Sequence, residues 1–508
     1  MNRREFVGVT ALASLAAFYP RLALAAEQGA AAGGFSHQTV ISLAEDLASR
    51  AFAPLPAVPE PVQKLTYDQY RDIRFKQGAG LWSGEGRGFT LDLLHTGFVY
   101  KSGIDVNIVE NGVSRPIPYA AQMFDFGPLV PSLPDAAGTL FSGIRLRAPI
   151  NTASYWDEFA VFQGASYFRA IGEGQNYGLS ARGLTIDTAE PKGEEFPAFR
   201  SYWVEQPALG AKTVVVHALL DSKSVTGAYR FVVYPGKSTR MDVDVTLFVR
   251  RDMKTLGFAP LTSMFLFDES NRARFDDFRP AVHDSDGLAI RRGNGEWIWR
   301  HLSNPSNLQI SAFMDTDPSG FGLMQRAERF EDFQDLEARY ELRPSVWVEP
   351  KGNWGQGQVV LVEIPSNLET NDNIVAFWRP ANAVGKGARL DFGYWLHWGP
   401  AMLERNLATV AATRCGLSFD HKRRLFVIDF APPRFGENLL DKSAVEASVS
   451  ASRGKVVNIV GRYSRPTGRY RVSFEMMPEG AELSELRVVL TGVQQKPMSE
   501  TWLYRWTV

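Results

Sequence analysis

The sequence predicts a mainly β fold with a large N-terminal antiparallel β-sandwich and a smaller C-terminal β-sandwich. From about Gly88 onward, short runs rich in Val, Ile, Thr, Phe and Tyr alternate with Gly, Pro, Asn and Asp at spacings of roughly 8 to 12 residues, a pattern typical of short strands. Long helical patterns between these runs are missing, which disfavours a parallel sheet built from βαβ units. The chain has 508 residues, too many for one small domain.

Residues 1–25 are predicted to be an export signal rather than part of the fold. Arg3 and Arg4 precede a mild apolar run over 8–18, and an Ala-Leu-Ala cleavage motif follows at 23–25. The paired arginines and the weakly apolar run resemble a twin-arginine signal, so we expect export to a bacterial periplasm. An uncleaved membrane anchor is disfavoured because the run is shorter than the roughly 20 apolar residues of a membrane span.

The order of elements after this segment follows from the spacing of apolar residues. Val40, Leu43, Leu47 and Phe52 recur at helical spacing and predict a helix within 36–52, and residues 66–75 indicate a short second helix. Strands follow throughout the first sandwich, which we assign to 36–399. The clearest predicted strands are 213–221, 227–236, 240–250, 357–365 and 373–380.

The strand pattern lapses over 400–421, which we interpret as a linker. After it, six or seven strand candidates occur within about 90 residues, a number and spacing that match an immunoglobulin-like sandwich. We assign this second sandwich to 422–508. It lacks the cysteine pair of antibody domains, so the match concerns architecture only.

Composition and charge exclude several classes of function. The formal net charge is −1, and removal of residues 1–25, with three Arg and one Glu, leaves about −3. This balance gives no electrostatic reason to expect nucleic acid or an anionic membrane surface as a partner, and a neutral ligand fits better. Cys415 is the only cysteine, which excludes an intrachain disulfide. No segment after the signal is long enough to span a membrane.

Common catalytic motifs are also absent. The sequence contains no P-loop, no nucleophile elbow and no His-Glu-x-x-His zinc motif, and it predicts no cofactor. Residues 78–88, GAGLWSGEGRG, are rich in glycine, but their spacing is not that of a dinucleotide-binding loop. We interpret them as a surface loop.

Acidic residues in predicted loops beside aromatic residues are the main functional signal. The first loop, HDSDG at 283–287, contains Asp284 and Asp286 and is followed by Trp297 and Trp299. A calcium loop is one interpretation, but further ligands at regular spacing are missing, so no metal is predicted. A plain Asx-turn remains the structural alternative.

A second block over 330–357 places Tyr340, Arg343, Trp347 and Trp354 among carboxylates. Interleaved Arg and Trp could bind nucleic acid bases, but the net charge argues against that partner. Tryptophan also stacks on sugar faces, while arginine and carboxylates hydrogen-bond to hydroxyl groups. This block therefore favours a sugar ligand.

A third stretch, ETNDNIVAFWRP at 369–380, sets an acidic turn directly against an apolar strand. We expect Phe377 and Trp378 to shield Asp372 partly from water, although the turn could simply cap the strand. Cleavage of a glycosidic bond needs two carboxyl groups, one acid and one base. Asp284 and Asp372 are the candidates, and they come from different loops.

Several longer motifs resemble one family, the periplasmic glucans biosynthesis proteins G and D, or MdoG family. The likeness runs from about Ser36 to the C-terminus, and the twin-arginine-like signal makes the chain more similar to the D member. The motifs are SYFRAIGEGQNYGLSARGLTIDT (166–188), DDFRPAVHDSDGL (276–288), NGEWIWR (294–300), GFGLMQR (320–326), RPSVWVEP (343–350) and LETNDNIVAFW (368–378).

This resemblance implies a galactose-mutarotase-like sandwich joined to an immunoglobulin-like one, and action on osmoregulated periplasmic glucans with a β-1,2-linked backbone. It further implies an anomer-inverting endo-β-1,2-glucanase or a related transglycosylase. Asp372 matches the family's general acid and Asp284 its general base. The residues that match the lining of the cleavage site or its proton path are Glu369, Thr370, Tyr340 and Arg343.

The sequence leaves several alternatives open. Asp286 could exchange roles with Asp284, and hydrolysis is not separated from transfer. A non-catalytic protein that binds β-glucan and presents it to an inner-membrane synthase or to substituent transferases would use the same residues. No sequence feature predicts a homodimer, and the question stays open. Five tryptophans are either sugar platforms or core residues: Trp297, Trp299, Trp347, Trp354 and Trp378.

Overall fold

The structure is a computed structural model that describes residues 34–131, 133, 139–401, 406–433, 440 and 445–508. The predicted signal at 1–25 lies outside the described residues, as do 402–405 of the predicted linker. Among the residues that are described, no helix is long and apolar enough to cross a membrane.

The helices within the described residues are few and short. The first covers the fourteen-stranded sheet described below with its buried face of Val40, Leu43 and Leu47, as the helical spacing predicted, but it ends at Ala48, before Phe52. Thr66 caps the third helix by accepting a hydrogen bond from the amide of Gln69 at 3.3 Å. The four α-helices of the described residues are α1 His37–Ala48, α2 Glu60–Gln63, α3 Tyr67–Arg71 and α4 Phe330–Phe333.

The described residues form thirty-two strands, which makes the protein mainly β as predicted. The strands are β1 Ile73–Phe75, β2 Thr90–His95, β3 Asp105–Glu110, β4 Val113–Pro116, β5 Phe124–Phe126, β6 Phe141–Thr152, β7 Tyr155–Gln163, β8 Tyr167–Ala170, β9 Ser180–Arg182, β10 Leu184–Ile186, β11 Ala198–Glu205, β12 Val214–Asp221, β13 Val225–Tyr234, β14 Thr239–Val249, β15 Leu256–Ser263, β16 Phe265–Phe267, β17 Val282–His283, β18 Gly287–Arg291, β19 Trp297–His301, β20 Gln309–Thr316, β21 Gly320–Met324, β22 Ser345–Lys351, β23 Gln356–Glu363, β24 Ile374–Pro380, β25 Arg389–Gly399, β26 Thr409–Leu417, β27 Arg424–Ala431, β28 Glu446–Ala451, β29 Lys455–Ser464, β30 Arg469–Met477, β31 Leu483–Thr491 and β32 Thr501–Thr507.

Two large sheets form the first sandwich. One has ten strands, in the order β2-β6-β7-β8-β9-β15-β24-β23-β20 with β10 also paired to β15, and the other has fourteen. Aromatic rings meet between the sheets, since Phe231 of β13 lies 5.2 Å from the rings of both Phe162 of β7 and Phe168 of β8. This apolar layer is the main core of the protein.

The ten-stranded sheet has a second face that is polar along β8 and β9. Phe168 of β8 points into the core, so Tyr167 and Arg169 point outward, because successive side chains of a strand alternate. On the neighbouring strand, Ser180 accepts a hydrogen bond from Nε of Arg169 at 2.6 Å. This outer face borders the candidate site.

The C-terminal strands form a smaller sandwich around a second core. A four-stranded sheet in the order β26-β27-β30-β29 packs through Phe426 and Phe474 against Trp502 of β32. The strands β28, β31 and β32 continue the fourteen-stranded sheet, because β32 pairs in parallel with β19. The two sandwiches therefore share one sheet.

The segment predicted as a linker, 400–421, differs in the structure because it contains β26. This strand pairs with β27 in antiparallel register, with Cys415 opposite Phe426, and buries Val410 and Thr413. The sequence hides it because alanine and glycine, which are poor strand formers, interrupt the pattern. Cys415 is half-buried within this strand.

Candidate functional site

The candidate site lies where loops meet at the ends of β17, β22 and β24, beside the outer side of β8. The loop that contains Asp284 and the loop that contains Asp372 are both hydrogen-bonded to the main chain at Met264 and Phe265. The amide of Asp284 donates to the carbonyl oxygen of Met264 at 2.8 Å. The buried side chain of Asn373 bonds both the amide and the carbonyl oxygen of Phe265, at 2.9 and 3.0 Å. The structure thereby brings Asp284 and Asp372, next to Asn373, to one place.

Asp284 is buried and forms an ion pair with Arg343. Burial raises the pKa of Asp284 to about 6, Arg343 opposes this shift, and the charge of Asp372 adds to it. The effect of the Asp372 charge on Asp284 places the two carboxyl groups close to each other. Gly178 lies against Arg343, where a Cβ atom would come within 2.9 Å of the arginine side chain.

Asp372 is exposed, with 36% of its side chain accessible, and Nη2 of Arg169 lies 3.9 Å from its carboxylate. The prediction that Phe377 and Trp378 shield it is therefore wrong. These residues lie three and four positions into β24, roughly 10 Å or more along the strand from its start. Trp378 is fully buried in the core.

A second chain of contacts leads away from Asp284. The guanidinium of Arg343 lies 4.4 Å from the centre of the Tyr340 ring, and the hydroxyl of Tyr340 donates to Glu369 at 3.1 Å. Burial, with the neighbouring Glu369, raises the pKa of Tyr340, so this hydroxyl keeps its proton. Nη1 of Arg279 lies 2.8 Å from the same Glu369 oxygen. Four of the predicted residues thus form one connected group, and Thr370 is exposed beside it.

Asp286 lies in a different environment from Asp284, although only two positions separate them. Its Oδ2 accepts hydrogen bonds from the amides of Arg326 and Ala327 at 3.1 and 3.2 Å. It lines a separate cavity of about 400 Å³ that also borders strand β26. Burial raises its pKa to about 6 as well. The two aspartates therefore do not share a site.

The structure corrects the prediction of sugar platforms for four of the five tryptophans. Trp297, Trp299, Trp347 and Trp378 are buried, which leaves no ring face free for a ligand. Trp297 stacks on Trp347 at 5.4 Å in the second core, and Arg326 covers Trp299 at 3.6 Å. Trp354 is half-buried and packs against the rings of neighbouring strands.

Arg169, Arg279 and Tyr177 belong to the site region but were not predicted from the sequence. Arg169 and Tyr177 lie in the motif at 166–188, which signalled the family without assigning a role to either residue. Arg279 is held by Asp277 and Asp335, both at 2.8 Å. Membership of a family motif was the available signal in each case, since Arg279 lies in the motif at 276–288.

No ligand for a metal ion stands out in the part of the chain that the structure describes. Within it, no group of three or more His, Cys, Asp or Glu side chains has an arrangement that could hold a metal ion.

The fold and the site define a mainly β protein with two sandwiches and a paired-carboxylate site beside a polar groove. Residues 35–506 match the family described as "Periplasmic glucan biosynthesis protein, MdoG", so the chain belongs to this family. This membership supports a role in periplasmic glucan biosynthesis and confirms the family predicted from the motifs.

Similar proteins with curated names include three that are called Glucans biosynthesis protein G. The one from Vibrio cholerae serotype O1 (strain M66-2) is 47% identical over 482 residues, 94% of this chain and 87% of that protein. The one from Shewanella frigidimarina is 47% identical over 479 residues, 93% and 85% of the two chains. The one from Bradyrhizobium diazoefficiens is 45% identical over 509 residues, all of both chains. These relatives carry the G name, whereas the predicted signal favoured the D member.

Proposed function

We propose that the protein acts in the periplasm on the β-1,2-glucan backbone of periplasmic glucans, as an anomer-inverting endo-β-1,2-glucanase or a related transglycosylase. The observation that carries this proposal is the convergence of Asp284 and Asp372 from separate loops, each beside an arginine, at an accessible edge of the sandwich. Two carboxyl groups with different surroundings suit acid–base cleavage of a glycosidic bond.

In this proposal, Asp372 is the general acid and protonates the glycosidic oxygen that leaves. Its exposed position gives it access to a bound chain. A sugar ring seated over Asp372 would replace the water around it, and exclusion of water favours the protonated form of a carboxyl group. Arg169 lies close enough to contact either Asp372 or a sugar hydroxyl group.

Asp284 is the general base and accepts a proton from the attacking water or sugar hydroxyl, directly or through a relay. The carboxyl group is buried, and its ion pair with Arg343 holds it in one position. Because its pKa is raised to about 6, it is ionised at neutral pH and still able to accept a proton. The ring of Tyr340, whose hydroxyl donates to Glu369, lies against Arg343.

A second candidate function is a non-catalytic protein that presents nascent glucan to a synthase at the inner membrane or to substituent transferases. The exposure of Asp372 favours this alternative, because the apo site does not by itself shield the acid from water. Such a protein would bind glucan through the same groups and would not need both carboxyl groups.

The test is incubation of the wild-type protein with linear β-1,2-glucan, with products separated by size and anomers followed by NMR. Shortened chains with an initial α-anomer support an inverting hydrolase, and cyclic or re-linked chains support transfer. Binding of intact glucan without any product supports the presenting protein and contradicts the enzyme. An initial β-anomer contradicts inversion.

An Arg343→Gln variant should move the acid limb of the cleavage rate to higher pH. The base must be ionised, so the wild-type rate should rise as the pH passes through the pKa of Asp284, about 6. Loss of the arginine charge, which opposes the shift, should move this rise upward by roughly one pH unit. Initial rates between about pH 4 and pH 9 measure the limb.

The control for this prediction is Arg329→Gln. Arg329 has 74% of its side chain exposed and pairs with Asp332, and it is not among the main groups that shift the pKa of Asp284. We expect this variant to keep the wild-type pH profile. If the acid limb of Arg343→Gln lies at the same pH as that of the wild type, the assignment of Asp284 as the base is contradicted.

A further inference from the structure

A cavity of about 860 Å³ lies on the outer face of β2, β6 and β7 and is strongly basic. It reaches the carboxylate pair, because Arg169 lines the cavity and also lies 3.9 Å from Asp372. Among the residues that the structure describes, only Asp92 and Glu158 supply negative charge to its wall. The cationic side chains of the wall are Arg71, Arg74, Lys76, Arg145, Arg147 and Arg169.

Two of these arginines are neutralised within the wall. Arg145 lies 3.1 Å from Asp92 and 2.6 Å from Glu158. Arg147 lies 2.7 Å from Asp92, and its Nη1 donates to the carbonyl oxygen of Trp156 at 3.2 Å. Two arginines and two carboxylates form a balanced network, so the excess charge of the cavity comes from other residues.

The excess positive charge of the cavity comes chiefly from Arg71, Arg74 and Lys76. Among the residues that the structure describes, none of the three has a carboxylate at ion-pair distance. Arg71 lies 5.5 Å from the ring centre of Tyr67. Arg74 lies opposite Asp125 in the pairing of β1 with β5, without an ion pair. Such cations are available to a ligand.

This charge is local and does not reflect a basic protein, since the formal net charge of the chain is −1. A cation-rich concave wall raises the local concentration of anions. The same wall offers surfaces for sugar rings, because Tyr155, with 62% of its surface exposed, and Trp156 both line it. The cavity therefore combines features for a sugar and for an anion.

The glycine-rich loop at 78–88 supplies another part of the wall. Gly78 and Gly84 line the cavity with φ of +78° and +75°, a conformation that other residues rarely adopt. A Cβ atom at Gly80 would come within 3.0 Å of the Asp92 carboxylate. This loop, which showed no nucleotide-binding pattern, therefore contributes mainly backbone to the wall, with Gly78, Gly80 and Gly84 among its lining residues.

We propose that this basic cavity binds an anionic ester substituent on a glucan chain whose backbone lies across Asp284 and Asp372. The chemistry is that of a phosphodiester or of the free carboxylate of a dicarboxylic half-ester, because arginine and lysine bind both. A neutral sugar would need hydrogen bonds but not unpaired cations. The proposal rests on the proposed function for the glucan backbone. It adds that the bound glucan carries negatively charged substituents.

The test compares the affinity of the full-length protein for four forms of linear β-1,2-glucan: unmodified, acetylated, succinylated and carrying phosphodiesters. Acetyl and succinyl esters differ in charge, so their comparison isolates the anion. We expect both anionic forms to bind about tenfold tighter than the acetylated form at low salt, with the difference shrinking as ionic strength rises. Free succinate and inorganic phosphate serve as competitors that separate the two anions.

The matched variants are Arg74→Gln combined with Lys76→Gln, and Lys386→Gln as a control at an exposed residue that does not line this cavity. The double variant should reduce the preference for anionic glucan to about twofold or less, and the control should keep it. Equal affinity for acetylated and succinylated glucan, or a preference that survives the double variant, would overturn the proposal.

The same measurements separate this inference from the proposed activity. Preference for anionic glucan without any cleavage supports the substituent site and counts against the enzyme. Cleavage without any preference for charge overturns the substituent site alone. Failure to bind any of the four glucans overturns both.

Discussion

An Asp372→Asn variant should leave linear β-1,2-glucan uncut while the protein still folds and binds the chain. Asparagine keeps the shape of the side chain but cannot donate a proton to the glycosidic oxygen. General acid catalysis typically contributes about 10²- to 10⁴-fold, so cleavage should fall by at least about two orders of magnitude. Since Asp372 is exposed and its closest charged neighbour, Arg169, is 3.9 Å away, its replacement should hardly change stability.

Three measurements check this expectation: product size, glucan affinity and thermal unfolding. Asp391→Asn is the control, because Asp391 is 56% exposed and pairs with Arg389 on β25. It should cut glucan at the wild-type rate. Wild-type cleavage by Asp372→Asn would remove Asp372 from the mechanism.

The assignment of acid and base to particular residues can be tested with the leaving group. An oligosaccharide with an activated aryl leaving group needs little protonation as it departs. Asp372→Asn should therefore regain much of its rate on an aryl glycoside, whereas removal of the base should not be rescued in this way. The reverse pattern would exchange the roles of Asp284 and Asp372.

The strands could be predicted from the sequence because alternation of side chains is a local property. Runs such as 213–221 and 240–250 correspond closely to β12 and β14. β26 escaped prediction because its alanines and glycine carry little strand signal. The pairing of β32 with β19, which joins the two sandwiches in one sheet, depends on residues some 200 positions apart. No local pattern specifies such a contact.

The candidate site could be predicted where the residue types of a loop were distinctive. It could not be predicted where a residue's role depends on the direction in which its side chain points. Asp284, Tyr340, Arg343 and Glu369 do come together, as the resemblance implied. Buried and exposed tryptophans look alike in a sequence, so the sequence could not decide between sugar platform and core, and tertiary packing buries four of the five. Arg169 was missed because an outward arginine on a strand is ordinary until its neighbour is known.

The other large effect on cleavage is expected for Asp284, the second carboxyl group of the candidate site. Asp284→Asn should reduce cleavage by about 10²- to 10⁴-fold, because asparagine cannot accept the proton of the nucleophile. Asp286→Asn should stay within about threefold of the wild-type rate, because Asp286 lies in the separate cavity beside β26. An asparagine there can still accept hydrogen bonds from the amides of Arg326 and Ala327.

The pH dependence of stability tests the burial of Asp286, whose proton should matter for folding but not for cleavage. The folded pKa of Asp286, about 6, lies above the ordinary value of 3.8, so the folded state binds its proton more tightly than the unfolded state. This contribution to stability is complete below about pH 4 and is lost as the pH rises through 6. Asp286→Asn should therefore flatten the fall in the free energy of unfolding over this window while cleavage persists. Equal loss of cleavage in the two variants would mean that the geometry does not distinguish the base.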